Sequence, residues 1–125
     1  VQDVWREVYE SLFRKGAEES LGHARQIGNK IVALGGVPTT EIGEVLQSTD
    51  LNEMLHQALD VERGAVRLYA EALDLCQDDA PLRVLLENII LDEQEGVEHL
   101  EKLLGGAQLA GAGGGKSDFF SRSPR

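Results

Sequence analysis

The chain has 125 residues, enough for one domain with a modest core and too few for two. Twelve Lys and Arg against 22 Asp and Glu leave a net charge of −10, which disfavours a nucleic-acid partner, since phosphates would be repelled over most of the surface. Hydrophobic residues make up 42%, too many for a chain disordered throughout, and no run approaches the ~18 apolar residues that membrane insertion needs.

The first predicted element is a helix over about residues 3–34. Trp5, Tyr9, Leu12, Gly16, Glu19, His23, Ile27, Ile31 and Leu34 recur at steps of three and four, the helical period. Gly35, Gly36 and Pro38 stop it, glycine supplying the C-terminal cap and proline forbidding continuation. Residues 39–50 read as a connector with room for one helical turn. A second helix follows an Asp50 N-cap, with Glu53 three residues on as in a capping box. Its stripe is Leu51, Leu55, Leu59, Glu62, Val66, Tyr69, Leu73 and Cys76. Pro81 opens the third helix, expected over about residues 81–104, with Leu82, Leu86, Ile89, Glu93, Gly96, Leu100 and Leu103 on one face. Nothing reads as a strand, so the expected fold class is all-α.

Residues 106–125 form a different region, expected to behave as a flexible linker because glycine is too frequent there for a stable helix. It ends with Phe119 and Phe120 beside Arg122 and Arg125. Two readings stand, a disordered tail or a tethered docking peptide for a protein partner.

The informative feature is where the apolar stripes are interrupted. Glu19 and His23 fall on the first stripe, Glu62 on the second and Glu93 on the third. An ionised carboxylate in a bundle core costs several kcal/mol unless it is paired or bound to a cation. Three carboxylates and a histidine, each near mid-helix, have an economical common explanation in a metal site, since oxygen and imidazole donors together suit iron, manganese or zinc. Glu18, Glu19, Glu93 and Glu95 also fit solvated helix faces, and a lone His23 also fits a hydrogen-bonded core residue. Tyr69 reads as a core tyrosine, Trp5 as core or interface filling, and His99 as a surface or interface residue.

The segments GHARQIGNKIVALGGVP (22–38), EMLHQALDVERGAVRLYAEAL (53–73) and LLENIILDEQEGVEHLEKLL (85–104) resemble the second, third and fourth helices of the ferritin-like superfamily. The likeness is to bacterioferritins, and the glycine turn is also similar to that of Dps-type mini-ferritins. It covers residues 1–105, the expected helical domain. The resemblance implies an antiparallel bundle with a di-iron carboxylate centre that oxidises Fe(II), in shells that store the mineral. It puts His23 on the second-helix histidine ligand, Glu62 on the third-helix bridging glutamate and Glu93 on the fourth-helix glutamate.

Several departures stand beside it. Ser20 occupies the place three before His23 where the family carries glutamate, with Glu19 displaced by one. Gly96 stands where a histidine would follow Glu93. The sequence opens near the family's second helix, so the first is expected from residues preceding Val1, from another chain or from a second copy. Leu21 falls where a haem-ligating methionine would stand, so no haem is expected. Arg25 and Asn29 replace the acidic pair of the mini-ferritin intersubunit site.

The expectation is thus an iron-binding, bacterioferritin-type protein with metal ligands Glu19, His23, Glu62 and Glu93, a ferroxidase if its di-iron site functions. The alternative is a non-catalytic helical scaffold whose site has decayed and whose tail recruits a partner, with docking inside a larger shell as a variant. Association is expected either way, with further copies or with a chain that supplies the missing helix. Cys76 is the single cysteine and no apolar signal core opens the chain, so a reducing cytoplasm is the expected location.

Overall fold

The structure, a computed structural model, describes residues 2–111, with side chains over 4–106. Three α-helices carry it: α1 (Gln2–Ala33), α2 (Leu51–Leu75) and α3 (Ala80–Gly111). There is no strand among the described residues. Among the described residues no helix is long and apolar enough to cross a membrane. The chain divides after Gly43 into two compact units, one built on α1 and the other on α2 and α3.

In the first unit α1 ends in a Schellman motif. Gly36 N–H donates to the Ile31 carbonyl at 2.8 Å and Gly35 N–H to that of Val32 at 3.0 Å. Gly35 has φ +85°, a conformation that side chains disfavour, and a Cβ on Gly36 would come within 2.9 Å of Ile31 Cγ2. Both glycines of the sequence signal are therefore required by geometry. The connector that follows forms no helical turn. Of the two readings of Trp5, core or interface filling, the core one is not met: Trp5 is 57% exposed and lies tilted against Tyr9, with ring centroids 6.4 Å apart one helical turn on.

The second unit is an αα-hairpin, two antiparallel helices joined by the turn at residues 76–79. Asp50 caps α2 by accepting from Glu53 N–H at 3.0 Å. The capping box is relayed rather than direct. Ser48 Oγ accepts from Asp50 N–H at 3.0 Å and donates to Glu53 Oε2 at 2.6 Å, so serine bridges the glutamate to the cap. Asp79 caps α3 in the same way, accepting from Leu82 N–H at 3.1 Å, and places Pro81 in the first turn, where its missing N–H costs nothing.

The hairpin's core is Leu55 and Leu59 from α2 with Leu86, Ile89, Val97, Leu100 and Leu104 from α3. Apart from Val97 and Leu104, these are residues of the two predicted stripes. Arg63 on α2 donates to Glu101 on α3 at 2.7 Å, an exposed tie across the same pair. On the other flank Val61, Leu68 and Leu75 recur every seven residues along α2 and stay exposed, as do Val84 and Leu91 on α3.

The structure corrects one boundary. Helix α3 does not stop near Leu104 but continues through Gly105 and Gly106 to Gly111. Helix propagation adds one hydrogen bond per residue fixed, so an established helix can run on through residues that would never start one. The proposed docking motif at Phe119, Phe120, Arg122 and Arg125 lies outside the described residues.

Candidate metal centre

Two of the four candidate ligands belong to the hairpin. Glu93 sits in the middle of α3, on the face that carries Ile89, Val97 and Leu100, and is only 6% exposed. Leu86 and Ile89 lie two turns and one turn before it, and Leu100 two turns after. Burial of that face therefore takes the carboxylate inward with it. Glu62 lies mid-way along α2 and is half-buried.

Across the hairpin Glu62 meets Gly96. A Cβ at position 96 would stand 3.1 Å from Glu62 Oε2 and 3.4 Å from its Cδ. The carboxylate of Glu62 therefore lies against the bare backbone of α3, one turn beyond Glu93. Tyr69, two turns after Glu62 on α2, reports the same neighbourhood. Its phenol is held above the ordinary tyrosine range, first by burial and then by the negative charges of Glu93 and Glu62. The phenol thus stays protonated at physiological pH, a neutral hydroxyl near two acids.

The other two candidates lie on α1. His23 is buried, at 8% exposure, as its place on the first stripe predicts. Glu19 is not. Its side chain is 54% exposed and reaches Lys15 Nζ at 4.0 Å, one turn earlier. The turn before His23 is open to solvent as a whole, with Ser20 and Leu21 exposed beside Glu19. The inward placement expected of Glu19 is thereby corrected, and its charge is satisfied locally and by water. His99 is exposed, in keeping with a surface position.

Among the described residues no group of three or more His, Cys, Asp and Glu is placed to hold a metal ion. The hairpin itself offers two carboxylates, donors suited to hard and borderline cations such as Fe(II) and Mn(II), with a glycine where a third donor would stand. That set fits part of a metal's coordination shell and falls short of the Glu and Glu-x-x-His complement of a full di-iron centre. No buried side-chain nitrogen or oxygen among the described residues lacks a hydrogen-bond partner. The stripe placed Gly96 on the same face as Glu93, but the absence of a side chain there gave no sign of the Glu62 carboxylate that it receives.

The three helices and their mid-helix acids define a class. A family model for the ferritin-like domain matches residues 1–110, and the chain belongs to that family. Among solved structures, the chain is similar to the crystal structure of a ferritin-like, diiron-carboxylate protein from Bacillus anthracis strain Ames. The two are 33% identical, with a TM-score of 0.76 over 80% of this chain and 73% of that one. The expected all-α, ferritin-like fold is borne out.

Proposed function

We propose that this protein binds iron through the carboxylates of Glu62 and Glu93 and oxidises it from Fe(II) to Fe(III). The observation that carries the reading is the burial of Glu93 within the α2–α3 hairpin, with the Glu62 carboxylate lying against α3 one turn further on. Two carboxylates on facing helices supply negative charge and oxygen donors that attract a cation. Membership of the ferritin-like family and similarity to a protein described as diiron-carboxylate support iron as that cation.

Iron is here a substrate. Each Fe(II) gives up one electron, with O₂ or peroxide as the acceptor, and the product carries one more positive charge. The carboxylates favour that product, because their attraction grows with the charge they face. Tyr69 keeps its proton beside them and adds no further negative charge.

The test is an anaerobic Fe(II) titration of the purified protein, followed by air exposure with near-ultraviolet absorbance recorded. Stoichiometric binding and a ferric signal are expected. Both are expected to be lost in Glu62→Ala/Glu93→Ala. Unchanged stoichiometry in the double variant would rule out this site, and no binding by the wild type would leave the chain a helical scaffold.

Storage of iron as a mineral and association of copies extend the same proposal. The exposed Val61, Leu68 and Leu75 stripe supports association, since apolar side chains at helical repeats are stabilised by a partner. Sedimentation of the full chain at micromolar concentration is expected to show more than one copy per particle.

A further inference from the structure

Position 96 of α3 has no side chain, and the space where one would begin is taken by the Glu62 carboxylate. At 3.1 Å from Oε2, a Cβ there would be tighter than an ordinary van der Waals contact, so the carboxylate would have to give way. Gly96 is also three residues after Glu93, on the same face of α3. The two facts together put the Glu62 oxygens where a side chain from α3 would otherwise be the next donor after Glu93.

We propose that Gly96 is a positioning residue that seats the Glu62 carboxylate against α3 and so makes the hairpin's contribution to metal binding two carboxylates with no nitrogen. The inference rests on the iron-binding reading above and deepens it by assigning a metal preference. An all-oxygen donor set narrows the lead that Zn(II) ordinarily holds over Mn(II) and Fe(II), because zinc affinity gains more from imidazole. A glycine in a helix interior is a cost to stability in the absence of any other role, because it gives up more conformational freedom than alanine. At position 96 that cost has a return in the placement of an oxygen donor.

The experiment compares the full-length wild type with Gly96→Ala, Gly96→His and, as a control, Gly64→Ala. Gly64 lies on α2, where a Cβ would meet only the end of the Arg67 side chain at 3.8 Å. Isothermal titrations use Mn(II) alone and Zn(II) alone, and thermal unfolding is recorded without metal. Gly96→Ala is expected to lose at least fivefold in Mn(II) affinity without any fall in metal-free stability, while Gly64→Ala keeps wild-type affinity. Gly96→His is expected to shift the ratio of Zn(II) to Mn(II) affinity at least tenfold towards zinc.

A metal-independent arm reads the seat itself. Introducing alanine at 96 is expected to raise the midpoint of unfolding more in a Glu62→Ala background than in the wild type, because only the wild type has a carboxylate to displace. Equal gains in both backgrounds, or a wild-type Mn(II) affinity in Gly96→Ala, would overturn the inference and leave the iron-binding reading standing. A wild type that binds neither metal would remove both.

Discussion

Replacing Ile89 with alanine tests whether the hairpin core carries the site. Ile89 is 1% exposed and lies one turn before Glu93, so its side chain is part of the packing that holds that stretch of α3 inward. Truncation removes three carbons, and at about 0.8 kcal/mol for each buried methylene the transfer loss is about 2.4 kcal/mol. Partial collapse of the space left behind adds a cavity cost, giving a total of about 2.5–4.5 kcal/mol. For a chain of 125 residues the unfolding entropy is about 0.26 kcal/mol/K, so the midpoint of thermal unfolding should fall by roughly 10–17 °C. Far-ultraviolet circular dichroism on heating, with urea titration as the equilibrium check, measures this. Val84→Ala on the same helix, at a side chain half open to water, should cost far less. A loss below about 1 kcal/mol for Ile89→Ala would refute the reasoning, because a site that well enclosed cannot give up three carbons cheaply.

Other consequences follow from single features. Gly35→Ala forces a side chain into φ +85° at the end of α1 and should destabilise by about 1–2 kcal/mol, read by urea unfolding. Asp50→Ala removes the acceptor of Glu53 N–H and should cost about 1 kcal/mol of stability, measured in the same way. Tyr69 titrates above the ordinary tyrosine range in the folded protein, so the unfolded chain loses that proton first and stability should fall as the pH rises above about 10. In a Tyr9→Phe background, absorbance at the phenolate band should show Glu93→Gln lowering the Tyr69 transition more than Glu62→Gln, since Glu93 exerts the larger effect. The reverse order would mean that the two acids are misplaced relative to the phenol.

The helices were legible because each signal is local. The period of the apolar residues, Asp50 before α2, Pro81 at the start of α3 and the paired glycines after α1 act within a turn or two of chain, and the structure uses each of them. His23 and Glu93 were legible for the same reason, since a polar residue on an apolar stripe is carried inward with its neighbours. Glu19 failed that test because its turn of α1, Ser20 and Leu21 included, is open to solvent, which the spacing of residues does not reveal.

What the sequence determined by itself, then, is the set of helices, their caps and the faces they bury, because backbone propensity and the helical repeat operate between residues near in the chain. Tertiary structure alone decided the relations between residues far apart. Arg63 reaches Glu101 across 38 positions. Glu62 lies in the space that Gly96 leaves open, and Tyr69 feels both acids from two helices. Such relations depend on the register of α2 against α3, which is set by how the leucine and isoleucine side chains of the core interlock, and no spacing within either helix encodes it.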